Sequence, residues 1–332
     1  MGSEFPERVI HGGTGKLQQE KTHKNFLDFS ASVNPYPPPF AWHCNRESLS
    51  RYPDDNYSLL KDAIASAYNR LPEEICVGNG SIELIRVFCS VTLRGKRTFT
   101  YEMPTFGEYD LSARLAGGVF TPSIPDADVI FVCNPNNPTG VLKSKTDLLL
   151  SLDDSRKADA LLFCDEAFID LADPAQSLAG TPDPRIFVLE SLTKSFAVPG
   201  LRFGFGFGDP DLIRKIETAR SPWTVNAFAE SFAIAALRHR SALEKSRSKI
   251  AQERAFLAKI LPEMGLKPAP SSTNYLLLQY GKKVTSLCER LKRKGILVRD
   301  CTSFGLPSCI RIAVRKTKEN RVLVETLSEC LP

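Results

Sequence analysis

Four short segments concentrate the residue types that do chemistry on small molecules. Gly78-Asn79-Gly80-Ser81-Ile82-Glu83 is a glycine turn leading into a helical pattern. Its free N–H groups at Ser81 and Ile82, with the Ser81 hydroxyl, suit a phosphate at a helix N-terminus, although a plain tight turn reads the same way. Asn134-Pro135-Asn136-Asn137-Pro138-Thr139-Gly140 follows an apolar run. Its two X-Pro bonds either fix an Asn amide toward a cleft or simply build a double turn. Asp165-Glu166-Ala167-Phe168 puts a carboxylate at the end of another apolar run. Such a carboxylate needs a cation or donor; a protonated pyridine nitrogen, a helix cap and a magnesium ion would each serve. Ser191 to Arg202, SLTKSFAVPGLR, sets Lys194 between the hydroxyls of Thr193 and Ser195 and ends on an arginine able to grip phosphate with two bonds. By itself this lysine could equally be a surface residue.

In chain order these segments supply a phosphate cup, a ring-side amide, a carboxylate and an amine. That set can hold a phosphorylated aldehyde cofactor and condense with it. No GxGxxG and no GKS or GKT loop stands between a strand and a helix, which removes dinucleotide and nucleoside triphosphate readings.

The elements that position these segments alternate. Ser58 to Leu71 carries one apolar helical face closed by Pro72. Strand patterns at 75–77, 97–101, 119–121, 129–133, 160–164, 186–189 and 203–207 are separated by helical ones at 81–93 and 106–116. The series predicts an α/β domain with a mostly parallel sheet and ligands at the carboxyl ends of its strands. A long helical region over 226–261 opens a smaller α+β part with strands at 274–278, 296–298 and 310–314 and helices at 284–294 and 318–329. The expected division is an arm over 1–45, a cofactor domain over 46–230 and a substrate domain over 231–332. The arm contains NPYPPPF at 34–40, which favours neither helix nor central strand.

At 332 residues, 42% hydrophobic and 24% charged, the chain can bury a large core. A formal charge of +5, from 43 basic and 38 acidic residues, is dispersed, with clusters such as Lys143/Lys145 and Lys292/Arg293/Lys294 reading as solvated helix faces. Nucleic-acid binding gains no support. Nine cysteines without CxxC spacing and four scattered histidines suggest a reducing compartment and no metal site. With no signal-like start and no membrane-length apolar run, a cytoplasmic protein is expected.

The four segments together resemble the fold-type I pyridoxal-phosphate enzymes, in the branch of histidinol-phosphate aminotransferase and L-threonine O-3-phosphate decarboxylase, from about His11 to Leu327. The resemblance implies pyridoxal 5'-phosphate as cofactor, Lys194 as its Schiff-base lysine, Asp165 on the pyridine nitrogen and Asn137 on the ring 3'-oxygen. It places Ser81, Ile82, Ser191, Thr193 and Arg202 around the cofactor and Phe106 against its ring. Tyr57, or else Tyr52 of the same RYPDDNY segment, would reach over from a second subunit, making a homodimer with shared sites. Phe168 stands where aminotransferases of the branch usually have tyrosine. That residue, His11-Gly12-Gly13, LDFSASVNP at 27–35, PWTVNA at 222–227 and VRDC at 298–301 look more like the decarboxylase.

That likeness implies decarboxylation of L-threonine O-3-phosphate to (R)-1-amino-2-propanol O-phosphate for the cobalamin nucleotide loop. His11, Asn34, Arg299, Arg311 and, more weakly, Arg315 would bind the two anions of this phosphorylated amino acid. Arg311 and Arg315 have the same parity on an apparent strand. Histidinol-phosphate transamination, decarboxylation of L-serine O-phosphate and a cofactor-binding regulator without turnover are the other readings.

Overall fold

The computed structural model describes residues 6–13, 20 and 25–331. The arm contributes a two-residue strand, β1 (Leu27–Asp28). A seven-stranded sheet follows from β2 (Ile75–Gly78), β3 (Thr98–Tyr101), β4 (Val119–Phe120), β5 (Val129–Cys133), β6 (Leu161–Asp165), β7 (Ile186–Glu190) and β8 (Gly204–Phe207). Its order is β2-β8-β7-β6-β5-β3-β4.

β3 to β7 pair in parallel, whereas β8 runs antiparallel to both β7 and β2. A parallel connection needs a crossover that carries the chain back along the sheet. The segment from Ser191 to Phe203 holds only a four-residue helix, Leu192–Ser195, and a 3-10 turn, Pro199–Leu201. The chain therefore turns back at the strand end, and the lysine segment stays there.

Apolar side chains alternate between two cores. Leu162, Cys164, Val188 and Phe205 pack on one face, and Phe131, Phe163, Phe187 and Leu189 on the other. Both faces are covered, which explains why β6 and β7 read as continuous apolar runs. Gly206 makes room for this packing: a Cβ there would lie 2.5 Å from Cζ of Phe187.

The smaller sheet has the order β12-β13-β10-β9, from β9 (Lys267–Pro268), β10 (Tyr275–Gln279), β12 (Arg299–Asp300) and β13 (Cys309–Ala313), while β11 (Ile296–Leu297) pairs in parallel with β1. The arm thus enters the small lobe by sheet pairing, a contact between residues almost a full chain apart. The expected long helix is two, Ala227–Leu237 and Leu243–Ile260, joined through a 3-10 turn. The first packs into the large core, whose cluster runs on to Leu243, and the small-lobe cluster takes up at Ile250. The change of core falls inside the second helix, later than residue 230.

All nine cysteines are free thiols. Among the described residues no group of side chains could hold a metal ion, and no helix is long and apolar enough to cross a membrane.

Candidate active site

Backbone proximity brings the Gly78 to Ile82 turn and Arg202 together. Ser81 and Ile82 open the helix Ser81–Thr92, preceded by Gly80 at φ 80°. A side chain at Gly80 would begin 2.5 Å from a guanidinium nitrogen of Arg202, and one at Gly204 would begin 2.4 Å from the Ser81 nitrogen. Glycine is required at both places, and at Gly80 the left-handed backbone requires it too. Arg202 is itself left-handed at φ 58° and donates from Nη1 to the Pro199 carbonyl at 3.0 Å. Ser191 caps the helix Leu192–Ser195, and its hydroxyl lies 2.8 Å from that of Thr193. A helix N-terminus and a guanidinium thus lie close together, the elements from which an anion site can be built.

Asp165 ends β6 and is buried. Its carboxylate accepts from the Tyr109 hydroxyl at 2.7 Å and from the Ala167 N–H at 3.0 Å. Burial nevertheless raises its pKa above the ordinary carboxyl value, with Tyr109, Ala167 and Lys194 pulling the other way. A cation brought to this oxygen would restore the ionised form. Lys194 has the opposite displacement. Burial, then Arg311 and Arg202, bring its pKa down to about 8, against the pull of Asp165. Its ammonium nitrogen lies 5.8 Å from the centre of the Phe168 ring, and that ring packs edge-on to Tyr275 at 5.1 Å.

The other end is a cleft of about 50 Å³ lined by residues that include His11, Phe106, Asn137, Arg299, Ser303 and Arg311. Arg299 and Arg311 are side by side in register on β12 and β13, and both are buried. Arg299 donates to the Ile10 carbonyl and to the Ser303 hydroxyl, each at 2.6 Å. Arg311 donates to the Asn137 side-chain oxygen and to the Ser30 carbonyl, and its Nε is buried without a partner. Among the described residues no carboxylate pairs with either arginine. Burial lowers the pKa of both, and for Arg299 the neighbouring Arg311 adds to it.

Three expected contacts have other employment. Asn34 is buried, donates to the Ser195 carbonyl at 2.7 Å and accepts from the Tyr36 N–H at 2.8 Å, while its own N–H reaches the Lys194 carbonyl at 2.9 Å. It pins the arm to the lysine segment and does not present a free amide to substrate. Arg315 lies beyond β13, which ends at Ala313, so strand parity does not reach it. Its guanidinium bonds Glu319 and the Asp28 carbonyl. Tyr57 is fully buried and its hydroxyl binds both backbone groups of Val225, at 2.9 and 3.2 Å. Enclosed within its own subunit, it cannot extend to another. Tyr52 is 79% exposed and stacks near Trp223, with ring centres 4.4 Å apart.

Two residues were not singled out by sequence. Tyr109 looks like an ordinary helix-face aromatic, and Glu108 like a first-turn helix carboxylate; both matter because the Tyr109 hydroxyl reaches Asp165 and Glu108 lies against His11.

The residues fit pyridoxal 5'-phosphate. Gly80 and Gly204 let Arg202 and the Ser81 backbone come close at a helix N-terminus, Asp165 is a buried acid that among the described residues has a neutral hydroxyl as its side-chain partner, and Ser195 Oγ is buried without a partner. Fold and site together define a fold-type I pyridoxal-phosphate enzyme. The sequence pattern of the class I and II aminotransferases matches residues 24–327, and the chain belongs to that family. It is 33% identical over 327 residues to a protein of Caldanaerobacter subterraneus subsp. tengcongensis carrying the provisional name threonine-phosphate decarboxylase, covering 90% of this chain and 88% of that one. It is 31% identical over 343 residues to a histidinol-phosphate aminotransferase of an Anaeromyxobacter species, covering 95% and 94%. The crystal structure of the histidinol-phosphate aminotransferase from Clostridium acetobutylicum superposes with a TM-score of 0.82 at 28% identity, covering 91% of this chain and 98% of that one.

Because the uncharged amine is the nucleophile, the depressed Lys194 makes cofactor capture by the apoprotein rise as pH passes about 8, instead of near the ordinary lysine value of about 10.4. Stopped-flow absorbance after mixing with pyridoxal phosphate across pH 6.5 to 10.5 measures this. Lys194→Ala should abolish the borohydride-reducible link altogether; a link retained on another lysine would remove Lys194 from the site.

Proposed function

We propose that this enzyme acts on an amino compound carrying phosphate, and that its reaction is decarboxylation of L-threonine O-3-phosphate. The observation behind the substrate class is the pair Arg299 and Arg311, buried cations without a carboxylate partner among the described residues, facing one cleft. Uncompensated buried cations are costly, and an anionic ligand relieves them. Two such cations suit a substrate with phosphate and carboxylate on one short skeleton. Phe168 and the 33% identical relative support the decarboxylase reading.

Histidinol-phosphate transamination is the second reading, and the comparisons give it more support, in both sequence relatives and structural likeness. The arginines do not separate the two, since the amino acid that donates the amino group, or the 2-oxo acid that accepts it, would also bring carboxylate. L-serine O-phosphate differs from the threonine ester by one methyl, worth only about 1–3 kcal/mol of discrimination.

In either reading the assignments are the same. Ser81, Ile82, Ser191, Thr193 and Arg202 hold the cofactor's phosphate end, and Phe106 and Asn137 its ring. The bound cofactor supplies an electron sink for the bond broken at the substrate's α-carbon. Asp165 keeps a proton on the pyridine nitrogen. Arg299 and Arg311 would fix the substrate's anions and so set which bond at the α-carbon is presented for cleavage. Lys194 takes or returns the proton at that carbon.

Carbon dioxide release and amine-phosphate formation from L-threonine O-3-phosphate, compared as kcat/KM with histidinol phosphate plus 2-oxoglutarate, test the choice. Faster transamination with no carbon dioxide would replace the decarboxylase. Asp165→Asn should keep the fold and lower kcat by about 100-fold or more, because an amide offers no charge to a protonated ring nitrogen; a near-normal rate would displace Asp165 from its role.

We also propose a homodimer in which Tyr52, and not Tyr57, meets the neighbouring site. Tyr52→Phe should then weaken cofactor retention, whereas Tyr57→Phe should lower stability by about 1–3 kcal/mol for its lost buried hydroxyl contacts while sparing cofactor affinity. Equilibrium dialysis of the cofactor and urea unfolding separate the two effects, and sedimentation showing a fully active monomer would reject the dimer.

A further inference from the structure

The segment Val9 to Gly13 lies across the cleft as a strap fixed to both lobes. On the small-lobe side the Ile10 carbonyl is held by Arg299 at 2.6 Å, and the Gly13 N–H donates to the Ser30 hydroxyl at 2.8 Å. Gly12 lies so close that a Cβ would stand 2.5 Å from the Ser30 carbonyl oxygen. On the large-lobe side there is one polar anchor: Nε2 of His11 lies 2.9 Å from Oε1 of Glu108, in the first turn of the helix Glu108–Leu115.

Glu108 is buried, unlike its partner, whose side chain is half exposed. Its second oxygen accepts from Arg86 at 3.0 Å. Hydrogen bonding from His11 holds its carboxyl below the usual range, against burial and with Arg86 helping. Both Glu108 oxygens are engaged, one by His11 and the other by Arg86, so the carboxylate holds the imidazole in place at the cleft wall. Holding Nε2 leaves Nδ1 as the ring nitrogen available to a ligand, with the ring plane fixed by the carboxylate.

We propose that Glu108 is a positioning residue that sets affinity for the substrate's phosphate through His11, while the arginines supply the bulk charge. This rests on the reading of the cleft as a site for phosphorylated substrates. Its consequence is that Glu108 and His11 act as a unit, so their effects are not additive.

The test uses holoenzyme, whose cofactor phosphate site is filled, titrated with inorganic phosphate by calorimetry, alongside steady-state kinetics with L-threonine O-3-phosphate and histidinol phosphate. Glu108→Gln and His11→Ala should each weaken inorganic phosphate about tenfold, equal to about 1.4 kcal/mol, and the double variant no further. With whichever substrate turns over, KM should rise by a similar factor and by more than kcat falls. His11→Ala alters a half-exposed strap residue, so the first arm stands even if Glu108→Gln fails to fold; Arg86→Met, which leaves the Glu108–His11 contact, should then weaken phosphate less than His11→Ala. Unchanged phosphate affinity in Glu108→Gln or His11→Ala, a double variant weakened about a hundredfold, Arg86→Met weakening phosphate as much as His11→Ala, or a wild-type holoenzyme that does not bind inorganic phosphate would each overturn the proposal. Wild-type protein that binds phosphate but converts neither organic substrate would sink the functional reading instead, and the phosphate titrations would still judge Glu108.

Discussion

The structure depends on keeping an amine and a carboxylate in one interior without letting them neutralise each other. Lys194 follows β7 and Asp165 ends the adjacent β6, yet no ion pair joins them among the described residues. Each is held by a different set of neighbours. Asp165 is turned to Tyr109 and the Ala167 N–H, whereas Lys194 lies within the fields of Arg311 and Arg202. Were the two groups in direct contact, the lysine would keep its proton and lose its nucleophilicity. The antiparallel return of β8 is what prevents this. It stops the chain at the strand end after Ser191, points Arg202 at Gly80, and leaves the lysine on a helix too short to wander.

That arrangement explains why much of the site was legible in the sequence. Asp165 ends β6, and Ser191 and the Asn134 to Gly140 loop follow β7 and β5, strands buried along all or most of their length, so polarity beginning where apolar residues stop reports a strand's carboxyl end directly. Gly80, Gly204 and Arg202 meet across β2 and β8, a pairing implied only loosely by the order of elements. What sequence could not convey is where long side chains go. Tyr52 and Tyr57 are alike on paper, but the left-handed backbone of Tyr57 tucks it under Val225. Arg311 and Arg315 have the same spacing as strand neighbours, but the strand ends between them and a helix carboxylate takes the second. Asn34 is a candidate ligand until its partners are known, and then it is a clamp on the lysine segment.

A second group of buried acids shows how closely the large core is charged behind the site. Glu166, Asp170 and Glu190 are all buried, and Arg240 pairs with Asp170 at 2.9 Å while lying over the Tyr68 ring at 4.1 Å. Glu166 accepts from the Ser177 hydroxyl and the Leu178 N–H, but one Glu190 oxygen and the Tyr68 hydroxyl have no partner. Burial raises the pKa of Glu166 to about 7 and that of Glu190 well above the carboxyl range, with Asp170 adding to both. Folded pKa values raised above the unfolded ones mean that these acids cost stability as pH climbs from the ordinary carboxyl value toward their own. For Glu190 that cost is still growing where Glu166 reaches its own value, because its pKa is raised the further of the two. Glu166 and Glu190 directly flank Asp165 and Ser191 in sequence, so the raised pKa of each opposes the build-up of negative charge next to the Asp165 carboxylate.

The arginines link affinity to reactivity. Arg311 and Arg202 are among the causes that hold Lys194 low, and they are also the cations to which the substrate's anion and the cofactor's phosphate are assigned. An anion bound at either arginine cancels part of that cation's field at the lysine. The free protein therefore holds an amine less basic than an ordinary lysine, and an anion at either arginine would make it more basic, better suited to taking a proton from carbon. Burial remains the largest cause of the depression and is not relieved by ligand, so the change is a partial one. A substrate lacking the group that reaches Arg311 would leave the lysine in its less basic state. On this argument the missing anion would be felt in the proton-transfer step as well as in binding, and its loss would lower kcat in addition to raising KM.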